Sequence, residues 1–154
     1  MSAADRERAL LRHYLAALAY RTEKALRGAP EGFGEFAPAP GVRTPLEIVR
    51  HMTDVLGFAL ARFTGGEYRS DALPTLDDEV ARLHQAIGDL ARHLVSGTFT
   101  GQPVFERLLQ GPLADAMTHA GQLAMLRRLA GDPVPPENFF AADIRADRFG
   151  PDRS

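Results

Sequence analysis

Thr44-Pro45-Leu46-Glu47 opens a run that continues Ile48-Val49-Arg50-His51-Met52 and stops at Gly65-Gly66. A threonine with glutamate three residues later is a capping box, and proline at the first helical position has the backbone angle that a helix start needs. Behind this start, Ile48, Val49, Met52, Val55, Leu56, Ala59 and Phe63 recur every three or four residues. That spacing puts them on one wide apolar face, so the stretch predicts a helix over about 44–64 that buries one side.

Similar signals lie on either side. Leu11, Leu15, Leu18 and Ala25, with Tyr14 beside them, make one stripe over about 2–27, which Gly28-Ala29-Pro30 ends. Thr75 caps a third helix over about 75–96. Asp77 and Asp78 follow where the helix dipole favours negative charge, and Val80, Leu83, Ile87, Leu90 and Leu94 form a narrow seam. Residues 103–109 are compatible with a short extra helix. Gly111-Pro112 then interrupts the pattern, and because proline costs a hydrogen bond and a clash inside a helix, the fourth helix is predicted to start at Pro112. It runs to about 130, and Leu123, Ala124, Met125, Leu126 and Leu129 predict burial on several sides.

Between the first two helices, residues 31–43 read as a loop whose Phe33 and Phe36 fold back onto the bundle. Residues 132–154 have lost the helical period but keep Phe139, Phe140, Ile144 and Phe149, which predicts an irregular tail draped over the helices. The expected architecture is all-α, an antiparallel four-helix bundle with an irregular C-terminal tail, in one domain over 1–154.

Composition narrows the function classes. The 154 residues contain no cysteine, which excludes disulfides, thiolate metal sites and a cysteine nucleophile. Net charge is −2, Lys24 is the single lysine, and the arginines are spread among acids. Neither a nucleic-acid partner nor an anionic membrane is indicated. No apolar run reaches the length of a membrane span. The start, Met1-Ser2-Ala3-Ala4-Asp5-Arg6, does not read as a signal peptide, so the cytoplasm is the expected compartment.

The chemistry rests on histidines. His51 sits at the margin of the second helix's apolar face, and His119 at the margin of the arc formed by Leu113, Ala116, Ala120 and Leu123. Both imidazoles are predicted to point into or beside the core, where each ring nitrogen needs a partner or a metal. Asp115 lies one turn before His119 and shares its face. Two imidazoles and a carboxylate from facing helices suit Zn, Ni or Fe(II) and leave positions open for water or substrate. The plainer readings are hydrogen-bonded core histidines, an Asp115 that serves the helix dipole, and a Gln122 that bonds across the bundle. His84 flanks the third seam. His13 and His93 read as surface residues. Phosphate loops, serine elbows and paired-carboxylate motifs do not occur.

The run Thr44 to His51 resembles the second helix of the DinB/YfiT-like family. The run from Asp115 through His119-Ala120-Gly121-Gln122 to Gly131 resembles that family's last helix, and the tail from Glu137 to Ile144 resembles one bacterial subgroup. The resemblance implies an up-down-down-up bundle, often dimeric. It also implies a divalent metal held by three histidines, one on the second helix and an H-x-x-x-H pair on the last. His51 and His119 match that pattern, whereas Asp115 stands where the first histidine of the pair belongs. Family members include S-transferases dependent on low-molecular-weight thiols such as bacillithiol or mycothiol, and maleylpyruvate isomerase; others are tied only to DNA damage or stress. Three functions are therefore expected to compete: a metal-dependent thiol S-transferase acting on a small molecule, a non-enzymatic stress-related binding module with a degenerate metal site, and a metal-dependent hydrolase. A homodimer is the expected assembly.

Overall fold

Three side-chain caps start three of the helices. Ser2 Oγ accepts from the Asp5 N–H at 3.1 Å, and the Asp5 carboxylate accepts in turn from the Ser2 N–H at 2.9 Å. These contacts open α1 (Ala3–Leu26) with a full capping box. Thr44 Oγ1 accepts from the Glu47 N–H at 3.2 Å and opens α2 (Pro45–Thr64). Here the predicted box is half formed, because Glu47 takes the Thr44 hydroxyl rather than its backbone N–H. Thr75 Oγ1 caps α3 (Leu76–Ser96) through the Asp78 N–H.

The computed structural model describes residues 1–101 and 104–150. Pro103 of the predicted connector and the last four residues of the predicted tail lie outside them. Among the described residues every regular element is helical.

The last helix departs from the sequence expectation. It does not begin at Pro112. A short helix, α4 (Phe105–Leu108), runs through a π-helical turn at Leu109–Leu113 into α5 (Ala114–Leu129). Pro112 sits inside that turn. Proline is excluded from a regular helix because its ring meets the carbonyl four residues back and its N–H is missing. A π-turn widens the coil locally, and this removes the conflict. The helix therefore continues past the proline instead of starting at it.

Contacts between helix ends give the chain directions. Arg8, near the start of α1, donates to the carbonyls of Leu94 and Gly97 at the end of α3, both at 3.2 Å. Arg50 and Glu79 pair the starts of α2 and α3 at 2.8 Å, while the rings of Phe63 and His93 meet at their ends. Buried Arg127, near the end of α5, donates to Ala25 O and Arg27 O at the end of α1, both at 3.0 Å. So α1 opposes α3, α2 runs with α3, and α1 runs with α5. Each of α1 and α2 packs on both α3 and α5, which closes a four-helix ring around Leu15, Leu18, Met52, Leu56, Leu83, Ile87, Leu90, Leu94, Leu113 and Leu123.

Loops finish the core. Phe33 is buried in a single 3-10 turn, with Phe36 partly buried beside it. The loop after α2 lays the Tyr68 ring against Gly57. A Cβ there would fall 2.0 Å from the Tyr68 ring, so the approach requires glycine despite its poor helix propensity. The tail is irregular and docks mainly on α1. Tyr20 Oη donates to Glu137 at 2.7 Å, the Phe139 ring lies under the Arg21 guanidinium, and Arg12 donates to Ala146 O. Phe140 points fully into solvent. Late α5 is also more open than the sequence suggests, with Met125 and Leu129 more than half exposed. Its helical neighbours are α1 and α2, and this side faces neither.

Candidate metal centre

His119 stands on α5 one turn after Asp115, and its ring is buried against α2. Its Nδ1 lies 2.7 Å from the Asp115 backbone carbonyl. A carbonyl only accepts, so Nδ1 carries the proton. Neutral His119 therefore presents a lone pair at Nε2. His51 faces it from α2, with ring centroids 4.7 Å apart and tilted by 56°. The Asp115 carboxylate is half exposed and bridges the two. Its Oδ2 lies 3.5 Å from His51 Nε2 and its Oδ1 lies 3.7 Å from His119 Nδ1.

The sequence singled out these three residues, and the fold brings all three together. Their ligand atoms lie within 4.8 Å of one another, and they form a group that can hold a metal ion. Two atoms on one ion at about 2.1 Å each stand at most roughly 4.2 Å apart. The three donors must therefore draw closer to share an ion, and Asp115 and His51 are the two with partly exposed side chains. The Nδ1–H to carbonyl bond of His119 is the outer contact that metal-bound histidines ordinarily make. The donor set of two imidazoles and a carboxylate fits a divalent transition ion.

Burial acts first on the His51 imidazole, followed by the Arg43 guanidinium and the His119 ring, and pushes its pKa below the ordinary value; Asp115 pulls the other way without overcoming them. His51 is thus held neutral near pH 7, the form that donates a lone pair.

The sequence reading missed Arg43. It is the last loop residue before the Thr44 cap, and its Nη1 sits 3.4 Å from His119 Nε2. Nothing local marks it, because its partner is 76 positions away in the chain. The other histidines are elsewhere. His84 is buried, but under the tail, with Nδ1 2.8 Å from Phe149 O. His93 is half-buried against Phe63 rather than on the surface, because the end of α2 packs over it. His13 is exposed as expected, and Gln122 is exposed rather than bonded across the bundle.

No helix among the described residues is long and apolar enough to cross a membrane. No curated protein and no solved structure matches the chain. Residues 4–127 match the family model of the DinB superfamily, a span from the second residue of α1 into the last turn of α5, and the chain therefore belongs to that superfamily.

Proposed function

We propose that this member of the DinB superfamily is a metal-dependent enzyme acting on a small molecule, with His51, Asp115 and His119 as the ligands of one Zn, Ni or Fe(II) ion. Its most specific form is a thiol S-transferase that joins a low-molecular-weight thiol to an electrophilic substrate. The observation that carries this reading is the convergence of three donors from two helices, one of them already in the ligating tautomer. A divalent ion held there supplies Lewis acidity that lowers the pKa of a bound thiol or water toward neutrality.

The chain's own residues prepare for that chemistry. The Asp115 carbonyl fixes the His119 ring, and burial keeps the His51 ring uncharged. Asp115 contributes the negative charge and, being half exposed, leaves one side of the centre open to solvent. A cytoplasmic homodimer belongs to the same proposal, supported by the fully exposed Phe140.

A second reading, a binding module without metal, rests on Arg43. Its guanidinium already satisfies the His119 lone pair, as a degenerate site would. One assay separates the readings. Zinc-loaded protein is given a fluorogenic electrophile with bacillithiol, with mycothiol, and with no thiol. The transferase reading expects thiol-dependent conjugation that EDTA and His119→Ala each abolish. Turnover without thiol identifies the hydrolase instead, and no turnover with no metal uptake identifies the binding module.

A further inference from the structure

A cavity of about 690 Å³ opens beside the metal centre, between the loop before α2 and the exposed side of α5. Ile48 and Leu126 form its buried wall, and Val42, Met125 and Leu129 its exposed apolar rim. Its size is that of a small-molecule site. Its lining includes one charged side chain, Arg43, and no acid. Arg43 has no carboxylate partner among the described residues; its guanidinium makes a polar contact with His119 Nε2 at 3.4 Å. The same guanidinium therefore belongs both to the cavity and to the edge of the metal centre.

Gly121 lies on the cavity wall in the middle of α5. Glycine is a poor helix former, and here an added Cβ would meet nothing within 4 Å. Unlike Gly57, it makes no close approach to another part of the chain. What its missing side chain leaves is room in the cavity.

We propose that this cavity binds a small monocarboxylate with an apolar body, its carboxylate paired with Arg43 and its body lying along Ile48, Leu126, Met125 and Leu129. A guanidinium matches a carboxylate through two parallel hydrogen bonds, and the apolar wall gains from burying a hydrocarbon chain. Pairing with an anion also draws Arg43 away from the His119 lone pair. Metal and carboxylate then favour each other's binding, and this coupling is reciprocal. The ligand's role as substrate rests on the metal-enzyme reading above; its binding does not.

The test is calorimetric titration of octanoate into EDTA-treated protein and into zinc-loaded protein, with 1-octanol as the uncharged counterpart. Octanoate is expected to bind both forms saturably and the zinc form more tightly, with 1-octanol about tenfold weaker. Arg43→Gln is expected to lose about tenfold for octanoate and nothing for 1-octanol. Gly121→Phe, which fills the cavity, is expected to abolish binding while its Tm stays at or above wild type. Arg69→Gln, an exposed arginine elsewhere, is the unchanged control.

Equal affinity for octanoate and 1-octanol overturns the proposal, as does wild-type binding by Arg43→Gln or by a folded Gly121→Phe. A dimer that Gly121→Phe dissociates, together with no octanoate binding, overturns it in favour of a second copy of the chain on this face. Arg43-dependent octanoate binding without zinc uptake keeps the cavity site and removes the metal reading. Zinc uptake without octanoate binding does the reverse.

Discussion

Two clusters of charge lie between the helices of this bundle, and they are built in opposite ways. At the starts of α2 and α3, the Glu79 side chain is completely buried and every lone pair it needs is used. Its Oε1 accepts from Arg50 Nε and from the Leu73 N–H, both at 2.8 Å, and its Oε2 accepts from Arg82. His51, the residue that follows Arg50 on α2, belongs to a second cluster with Asp115 and His119, and this one is half open. Its distances are 3.4 Å or longer except for the one bond that fixes a tautomer. A closed cluster ties the 65–75 loop to two helices. An open one retains lone pairs for something that is not protein. The comparison teaches that what sets the second cluster apart is unspent donor capacity, not charge as such, and this is what makes it a group that could hold a metal ion.

The largest expected effect breaks the closed cluster. Glu79→Ala leaves two partly buried guanidinium groups and a backbone N–H without their acceptor. The expected cost is about 2–4 kcal/mol, below the full value for a buried pair because both arginines reach solvent. Urea unfolding measures it. Asp115→Ala, by the same measurement, is expected to cost less than about 1 kcal/mol. Equal costs would erase the contrast between the clusters.

The next effect sharpens the open cluster. Asp115→His rebuilds the three-histidine set, and imidazole suits borderline ions such as Zn and Ni. Zinc affinity is expected to rise about tenfold, and with Asp115→Asn to fall about tenfold. Competition with a chromophoric chelator reads both. A Glu79→Gln variant is expected to leave zinc affinity unchanged, since its network touches none of the three donors.

The smallest effect is in pH dependence. Burial pushes the Glu79 carboxyl up, but the Leu73 N–H, Arg50 and Arg82 outweigh it and hold its pKa below the ordinary 4.5. A depressed carboxylate pKa means that the unfolded chain binds more protons, so stability rises with pH in that window. The Glu79 contribution is fully present above about pH 4.5 and is lost as pH falls through the lower folded value. Thermal melts from pH 6 to pH 3 are expected to show a shallower acid decline in Glu79→Gln than in wild type.

Much of this was legible in the chain. Thr44 and Thr75 announced their helices because a cap is a local contract between residues three apart. His51, Asp115 and His119 were legible because helical spacing fixes which face each occupies, and the family resemblance indicated that those faces meet. Pro112 misled because the rule against proline assumes a regular helix, and a π-turn is not announced by local spacing. Late α5 misled because an apolar circumference states what can be buried, not how many neighbours arrive; Met125 and Leu129 stay more than half exposed. Glu79 looked like one more acid in a first turn, and Arg43 like the end of a loop. Their roles depend on partners that only the fold brings near.

The central claim is that two histidines and an aspartate form a working metal centre. Its most direct test is titration of zinc into metal-free wild type, His51→Ala and His119→Ala, with each variant shown to be folded by circular dichroism. The account predicts one tightly held ion per wild-type chain and affinity reduced about a hundredfold or more in each variant. The same negligible uptake by all three proteins would contradict it.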